Sequence, residues 1–252
     1  MAYKRNVMNY SEFFRRFLAV RKCISCRKIL DFDNSEEAFC PNCRLKWDKA
    51  KTATCPTCFK SAIECRCMPK RMSAAGAISL RKLIFYQKDK MNEPQNKIIY
   101  FLKRNKNSRA AGFLARELSR AISEELELLE VGDFNSEAVV VWIPRGINAR
   151  TAYGFDQSEL ICRAIGKALN IPFAQLIIRQ KGGKEQKKLG REERAINIKN
   201  RFGISPVADV PKDKVIVLLD DVVTTGASMS ECVRLLHKSG YKSIICIAIA
   251  QN

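Results

Sequence analysis

Strand-like hydrophobic runs recur along the second part of the chain. Five segments concentrate Val, Ile, Leu and aromatic residues between polar turns, as β-strands do. They are Ala77–Tyr86, Ala138–Ile143, Leu176–Arg179, Val215–Leu219 and Ser243–Ala250. Val215–Leu219 is apolar at every position, which is typical of a strand that is buried on both faces of a parallel sheet.

Helical patterns alternate with these strands. They span Gln95–Arg104, Ser108–Glu130, Asp156–Asn170 and Ser228–Lys238. The longest has one apolar face, which contains Leu114, Leu118, Ala121 and Ile122. Asp156 with Glu159, and Ser228 with Glu231, have the spacing of a capping box at a helix start. Strands that alternate with helices predict an α/β fold, in which a mostly parallel sheet is flanked by helices.

The composition changes before residue 72, where periodicity gives way to cysteines. Eight of the 11 cysteines lie between Cys23 and Cys67. They form four close pairs: Cys23 and Cys26, Cys40 and Cys43, Cys55 and Cys58, and Cys65 and Cys67. Two such pairs complete a tetrahedral zinc site, and four thiolate ligands leave no open position for catalysis. The pattern therefore predicts about two structural zinc ions in a small, zinc-ribbon-like module.

The spacing leaves the pairing of these cysteines open. The sequential arrangement joins the first pair with the second and the third with the fourth, but an interleaved arrangement also fits. Free thiols or disulfides are the competing interpretation, and disulfides would need an oxidising compartment. We expect a lead-in over residues 1–22, the zinc module over 23–72 and the α/β domain over 75–252.

The charge of the chain favours polyanionic partners. Its 45 Lys and Arg residues against 26 Asp and Glu give a formal net charge of +19, which suits nucleic acids or phosphorylated molecules. A generally basic proteome is the competing explanation. No segment approaches the ~18 apolar residues that span a bilayer, and the N-terminus lacks the pattern of a secretory signal. We therefore expect a cytoplasmic protein without a transmembrane segment.

A candidate site follows the apolar strand Val215–Leu219. The sequence continues Asp220, Asp221, Val222, Val223, Thr224, Thr225, Gly226, Ala227 and Ser228. Ligands of open α/β sheets bind at the carboxyl ends of the strands. A loop with hydroxyls and a glycine before a helix binds phosphate, and adjacent carboxylates accept hydrogen bonds from a vicinal diol. The pattern predicts a site for a ribose 5-phosphate. The competing interpretation is an ordinary turn.

This string resembles the signature of type I phosphoribosyltransferases. The resemblance implies that Asp220 and Asp221 hold the ribose hydroxyls of phosphoribosyl pyrophosphate (PRPP), and that Thr224–Ser228 hold its 5′-phosphate. It also implies a pyrophosphate loop after another strand, where Arg145 and Gly146 follow Ala138–Ile143. Mg²⁺ would accompany PRPP. A surface turn is the alternative at Arg145 and Gly146.

Residues 141–202, together with the cysteine-rich head (residues 23–72), resemble the ComF family of competence proteins. The matching residues are Gly154, Phe155, Asp156, Gln157, Gln186, Leu189, Arg194, Asn197 and Phe202. The chain departs from the family pattern at Tyr153, where Arg is usual, and at Asp156, where Asn is usual. The resemblance implies a link to DNA uptake and to the competence machinery. It also implies that residues 179–201 form a flap over PRPP.

The sequence leaves several functions open. One is an enzyme that transfers the phosphoribosyl group to an unknown acceptor, although no general base or nucleobase pocket is evident. Another is a non-enzymatic protein that binds single-stranded nucleic acid and uses the fold as a PRPP-binding module; a PRPP-sensing regulator is a third. The candidate contacts to nucleic acid are Lys184, Lys187, Lys188, Arg191 and Arg194, with a second basic cluster at Lys97, Lys103, Arg104, Lys106 and Arg109.

Overall fold

The computed structural model describes residues 20–30, 37–146, 152–180 and 201–252. The helices of these residues are α1 (Pro41–Lys51), α2 (Lys70–Ser73), α3 (Pro94–Arg104), α4 (Ser108–Leu128), α5 (Phe134–Glu137), α6 (Gln157–Leu169) and α7 (Ala227–Lys238). The strands are β1 (Ser79–Phe85), β2 (Ala138–Trp142), β3 (Phe173–Ala174), β4 (Ile177–Arg179), β5 (Phe202–Ile204), β6 (Val215–Val223) and β7 (Ile244–Gln251). None of these helices is both long enough and apolar enough to cross a membrane.

Five strands form one sheet in the order β1-β7-β6-β2-β3. Every neighbouring pair in this sheet is parallel, so the predicted α/β architecture with a mostly parallel sheet is confirmed. β4 and β5 pair antiparallel in a separate ribbon. The segment Leu176–Arg179 is therefore a strand, as predicted, but it does not belong to the main sheet.

Alternate residues of the central strands point to two separate hydrophobic layers. Val215, Val217 and Leu219 face a layer that contains α3, α4 and α6. Ile216 and Leu218 face a second layer that contains α7 and the β4–β5 ribbon. Because side chains alternate along a strand, an unbroken apolar run is what a sheet covered on both faces requires.

The cysteine-rich head packs into the first layer. Its only fully buried tryptophan among the described residues, Trp47 on α1, is 5.5 Å from the ring of Phe113 on α4, measured between ring centres. Phe39 contacts both rings. The head thus shares a hydrophobic cluster with the α/β part, and the boundary that we place near residue 72 stays a prediction.

The predicted helix starts need two corrections. Asp156 caps α6 by accepting a hydrogen bond from the N–H of Ser158, but Glu159 pairs with Arg163 one turn later rather than closing a capping box. The second capping box, at Ser228 and Glu231, is wrong. α7 begins earlier, after a left-handed Gly226, and no side chain caps it; Glu231 instead accepts a hydrogen bond from the N–H of Arg201.

Two groups of sequence predictions lie outside the described residues. One is the lead-in up to residue 19. The other is most of the expected flap, including the candidate nucleic-acid contacts Lys184, Lys187, Lys188, Arg191 and Arg194. These assignments stay predictions.

Candidate functional site

Two adjacent carboxylates project where β6 continues beyond its neighbour β2. The pairing of β2 with β6 stops at Leu219, whereas Asp220, Val222 and Val223 go on pairing with β7. The predicted strand Val215–Leu219 is therefore longer in the structure, and the acid pair lies in the C-terminal part of β6. Asp220 and Asp221 are both partly buried. They lie at the carboxyl end of a parallel sheet, where ligands of this class of fold bind.

Asp221 is held by a dense set of donors. Gln157 Nε2 donates a hydrogen bond to its Oδ2 at 2.8 Å, and Lys103 Nζ lies 3.3 Å from the same oxygen. The N–H of Val222 donates to Oδ1 at 2.7 Å. Charged and neutral donors together fix the orientation of this carboxyl group, so Asp221 is a positioned hydrogen-bond acceptor.

Asp220 is in a different electrostatic state. Burial, and then the charge of Asp221, raise the pKa of Asp220 well above the ordinary value of 3.8. Its Oδ1 accepts one hydrogen bond, from the N–H of Asp221 at 2.9 Å. A second negative charge is unfavourable at this position until a cation or further hydrogen-bond donors arrive. The acid pair is therefore arranged to respond to a ligand.

The residues Thr224–Ser228, which we call the phosphate loop, follow β6 and include the first two residues of α7. Thr224 and Thr225 are exposed, whereas Gly226 is buried and has φ +71°. This left-handed conformation favours glycine, and it turns the chain directly into α7. The first N–H groups of a helix have no partner within the helix, and its dipole favours an anion there. The loop and the end of β6 enclose a cavity of about 70 Å³.

Arg145 follows β2 and is fixed by three contacts. Its backbone N–H donates to Asp156 Oδ2 at 2.7 Å, and its Nη1 donates to the carbonyl of Lys103 at 3.0 Å. The guanidinium lies 5.4 Å from the centre of the Tyr153 ring. The resembled family usually has an arginine at the position of Tyr153. In this chain the Tyr153 ring instead contacts the guanidinium of Arg145. The space beside Gly146 is open to a distance of 4 Å, so no neighbouring atom requires glycine there.

A cavity of about 250 Å³ connects these groups. It is lined by Lys103, Ile143, Pro144, Arg145, Gly146, Gln157, Ser158, Arg179, Asp220, Asp221 and Ser228. Asp220 and Ser228 also line the cavity of the phosphate loop, so the two cavities lie next to each other and share these two residues. The resulting site has a helix start on one side, two carboxylates in the middle and two arginines on the other side.

Two residues of this site, Lys103 and Gln157, are not identified as site residues by the sequence alone, and Arg179 is predicted only as one of the flap cations expected to bind pyrophosphate. The sequence places Lys103 in a basic cluster, because it has no local signal that brings it near β6. Arg179 donates to the carbonyl of Pro144 at 3.0 Å. Gln157 appears in the sequence only as part of the family pattern, and that pattern is the signal that could have identified it.

The eight cysteines of the head form two groups of four. The first cluster is Cys23, Cys26, Cys40 and Cys43; the second cluster is Cys55, Cys58, Cys65 and Cys67. Within each cluster the sulfurs all lie within 4.8 Å of one another. Four thiolates around zinc, with Zn–S bonds of ~2.3 Å, would be about 3.8 Å apart, so both clusters fit a tetrahedral ion. The arrangement is the sequential one.

The thiols differ in pKa within each cluster. Hydrogen bonding from the backbone of Lys28 is the main cause that lowers the pKa of Cys26 to about 7. Burial raises the pKa of Cys55, but hydrogen bonds, chiefly from the N–H groups of Cys58 and Thr57, act in the opposite direction. The net effect lowers the pKa of Cys55 to about 6. Donors directed at sulfur favour the thiolate, which is the form that binds metal. Burial has the opposite effect on the second pair of each cluster, and it raises the pKa of Cys40 and Cys43 in the first cluster and of Cys65 and Cys67 in the second. Cys26 and Cys55 are therefore the thiols of their clusters that lose a proton most easily.

The chain matches the family model of the phosphoribosyl transferase domain over residues 156–252. This range contains the acid pair, the phosphate loop and Gln157, and it leaves out Arg145 and the cysteine-rich head.

Curated relatives cover more of the chain. Competence protein ComFC of Streptococcus pneumoniae is 26% identical over 244 residues, which are 88% of this chain and 96% of that protein. Competence protein F of Haemophilus influenzae is 30% identical over 92 residues, 36% of this chain and 40% of that protein. DNA utilization protein YhgH of Escherichia coli is 28% identical over 153 residues, 60% of this chain and 64% of that protein.

Proposed function

Because the chain belongs to the ComF family of phosphoribosyltransferase-like proteins, we propose that the site at the end of β6 binds PRPP. One observation carries this proposal: the cavity beside the acid pair and the cavity of the phosphate loop share Asp220 and Ser228 as lining residues, so the two cavities are neighbours. A vicinal diol in the middle and phosphate groups at both ends match that order of chemistry.

The ribose and its 5′-phosphate take the part of the site formed by β6 and α7. Asp221, already fixed by Gln157, accepts a hydrogen bond from one ribose hydroxyl, and Asp220 accepts from the other. The N–H groups and hydroxyls of Thr224–Ser228 bind the 5′-phosphate at the start of α7. The αL conformation of Gly226 turns the chain from Thr224 and Thr225 directly into α7.

The pyrophosphate takes the part of the site formed by the loop after β2. Arg145 lines this part with its guanidinium held between the Lys103 carbonyl and the Tyr153 ring. Arg179 adds a second cation from the β4–β5 ribbon. Fixed cations stabilise the negative charge that develops on a departing pyrophosphate without any cost of reorganisation. Gly146 allows the ligand to approach the backbone.

The acid pair also suits Mg²⁺, since a cation would offset the burial and the repulsion from Asp221 that together raise the pKa of Asp220. A bound Mg²⁺ would neutralise the pyrophosphate oxygens and so favour transfer of the phosphoribosyl group to an acceptor. The residues of this chain bind and orient the ribose, and the arginines bind the leaving group. No acceptor is assigned, so PRPP binding is the proposed function and phosphoribosyl transfer its proposed reaction.

We also propose that each cysteine cluster holds one structural Zn²⁺, in the cytoplasm, where thiols stay reduced. The fit of both clusters to tetrahedral geometry supports this assignment. The names of the relatives point to competence and to DNA utilization. We propose that this chain too acts in the uptake or use of DNA, together with competence proteins.

Calorimetric titration of the protein with PRPP and Mg²⁺ tests the site. We expect that Asp220→Asn with Asp221→Asn abolishes binding, because each amide presents one acceptor oxygen and no charge. Asp213→Asn is the matched control: Asp213 is exposed and stands just before β6, at the opposite end of the same strand. PRPP binding by the double variant with wild-type affinity would contradict the assignment. A coupled assay for pyrophosphate release then identifies acceptors.

A second candidate function, binding of single-stranded nucleic acid, is favoured by a groove between α4 and α6. The groove has a volume of about 760 Å³. Its charged lining residues are Arg21, Arg109, Arg116, Arg163 and Lys167. Several members of the basic cluster predicted from sequence instead contact the protein itself, since Lys97 donates to the Ser25 carbonyl and Lys103 pairs with Asp221.

Fluorescence anisotropy with a labelled single-stranded oligonucleotide tests this function. We expect an affinity that falls with salt, by a log–log slope of ~0.7 for each phosphate contacted. Arg163→Gln with Lys167→Gln should flatten the slope. The control, Arg234→Gln with Lys238→Gln, removes the same charge from α7 on the other face of the sheet. Equal effects of both pairs would leave the groove without a specific role.

A further inference from the structure

A short segment connects the second cysteine cluster to the back of the phosphate loop. Residues 68–77, which we call the strap, begin one residue after the metal-ligand candidate Cys67 and lead into β1. The strap contains α2, and it packs on α7 in the second hydrophobic layer. It lies outside the part of the chain matched by the phosphoribosyl transferase model.

The strap meets the loop at Gly226. A β-carbon added to Gly226 would lie 2.9 Å from Met72 Cγ, 3.0 Å from Met72 Sδ and 3.1 Å from Pro69 Cβ. Met72 is fully buried. Pro69 and Met72 therefore occupy the space that a side chain would otherwise take, directly behind the backbone that turns toward the proposed phosphate.

Both ends of the strap are tied down. At its start, the fully buried Lys82 on β1 donates from Nζ to Cys65 Sγ at 3.0 Å and to the carbonyl of Cys67 at 2.9 Å. At its end, Nε2 of His237 on α7 lies 3.1 Å from the carbonyl of Gly76. The strap is thus fixed to the second cluster on one side and to the helix of the phosphate loop on the other.

We propose that Pro69 and Met72 are positioning residues for the phosphate loop, and that the second cysteine cluster keeps them in place. The inference rests on the proposed function in one respect: the ligand of the loop is the 5′-phosphate of PRPP. It adds a role for the cysteine-rich head, since a metal ion in the second cluster acts on phosphate binding through two apolar side chains.

The physical reason is the freedom of the loop. Glycine has more accessible backbone conformations than any other residue, so Gly226 needs a wall to stay in the conformation that aims its neighbours at an anion. When only a fraction of the molecules has the competent loop, the apparent dissociation constant rises by the inverse of that fraction. A loop that is competent about one tenth of the time binds about tenfold more weakly.

The first experiment removes the wall. Met72→Ala should weaken PRPP binding about tenfold and speed amide hydrogen exchange in residues 224–228, whereas Met72→Leu should restore both. Leu236→Ala is the control, because Leu236 is fully buried in the same layer on α7 but does not face Gly226. Zinc content should stay unchanged in all three variants. The proposal would be overturned if Met72→Ala and Leu236→Ala increased amide exchange in residues 224–228 by the same factor and weakened PRPP binding equally.

The second experiment removes one metal ligand from each cluster at the same position of the same turn. Cys58→Ser acts on the second cluster, and Cys26→Ser is its counterpart in the first. Elemental analysis should show that each variant loses one zinc. Only Cys58→Ser should speed exchange in residues 224–228 and weaken PRPP binding. Similar loop exchange in both variants, whether fast or slow, would refute the coupling.

The two proposals fail in different ways. If the wild-type protein does not bind PRPP, the proposed function is wrong, but hydrogen exchange of the loop still decides whether the strap and the second cluster position it. If PRPP binds and the loop exchanges equally in Met72→Ala and Met72→Leu, the function stands and the positioning role is wrong.

Discussion

The two cysteine clusters start from the same local structure and then diverge. Each opens with a tight turn that carries its first two cysteines: Cys23 N–H donates to the carbonyl of Lys28, and Cys55 N–H donates to the carbonyl of Lys60. One antiparallel bridge closes each turn, between residues 22 and 29 and between residues 54 and 61. Equivalent backbone hydrogen bonds thus position the first two sulfurs of each cluster.

The second halves of the clusters have different structures and neighbours. In the first cluster, Cys40 is the N-cap of α1 and Cys43 lies in its first turn, so the ligands are attached to a helix that packs on α4 through Trp47. In the second cluster, Cys65 and Cys67 are on a segment without regular secondary structure, which continues as the strap. Equal ligand sets therefore need not have equal consequences: the first cluster supports the hydrophobic core, and in our proposal the second supports the phosphate loop.

Trp47→Ala should have the largest effect on stability, and it tests whether the first cluster supports only the hydrophobic core. Trp47 is fully buried, packs against Phe39 and Phe113, and donates from Nε1 to Glu117 Oε2 at 3.0 Å. Truncation of a buried tryptophan costs about 3–5 kcal/mol. We expect a loss of that order in denaturant unfolding, together with unchanged PRPP affinity of the folded fraction. A matching loss of affinity would mean that the first cluster also controls the site.

The architecture was accessible from sequence because its signals are local. Val215–Leu219 and Ser243–Ala250 are strongly apolar, and α/β alternation then leaves few topologies. The ends of the strands were not accessible in the same way. β6 reaches Val223 because β7 continues to pair with it, and this depends on a neighbour that comes later in the chain. Gly226 as the helix cap depends likewise on a backbone conformation rather than on side-chain identity.

The site was accessible only in part. The acid pair and the phosphate loop are contiguous, so one string of residues predicts them. Lys103 comes from the end of α3 and Arg179 from β4, and they meet Asp221 and Pro144 only through tertiary packing. The sequential pairing of cysteines, which the spacing left open, is likewise decided by the folded chain. No sequence pattern indicates that Met72 lies behind Gly226.

Glu117→Gln and Glu125→Gln compare the ionic contacts that join each cluster region to α4. Glu117 accepts from Arg44 at 2.7 Å and from Lys51 at 2.6 Å, beside the first cluster. Glu125, nearer the second cluster, accepts from Arg66 and from Arg81. The Glu125 side chain is 5% exposed and that of Arg81 3%, so Glu125→Gln removes one of the two carboxylates that pair with this buried cation and leaves Glu124 as the other. We expect a loss of about 2 kcal/mol, which is typical of a buried hydrogen bond to a charged group, and a smaller one for Glu117→Gln.

The pH dependence identifies the cause of that loss. Burial raises the pKa of Glu125, but the hydrogen bonds from Arg66 and Arg81 act in the opposite direction, and the net pKa lies below the ordinary 4.5. The stabilising contribution is therefore present above about pH 4.5 and lost as pH falls through the lowered pKa. The thermal unfolding midpoints of wild type and Glu125→Gln should therefore converge once the pH is below the lowered pKa of Glu125. Glu127→Gln, an exposed position on the same helix, should follow wild type throughout.

The smallest expected effect tests whether the two opening turns are equivalent. Arg27 has φ +67° and Phe59 has φ +58°, and each follows the second cysteine of its turn. Both side chains are exposed, so replacing them removes little packing. Glycine relieves the left-handed strain of about 1–2 kcal/mol but loses more entropy on folding, by about 0.5–1 kcal/mol.

Arg27→Gly and Phe59→Gly should therefore each stabilise the protein by about 0.5–1 kcal/mol, seen as a higher denaturant midpoint with zinc bound. Lys28→Gly and Lys60→Gly are the matched controls, because neither lysine has a positive φ and glycine there brings only the entropic loss. Shifts of the same size at both turns would show that the clusters share their opening structure and differ only in their second pairs of cysteines. A shift at Arg27 without one at Phe59 would place the difference between the clusters in the turns themselves, because the two turns would then carry unequal strain before either chain reaches its second pair of cysteines.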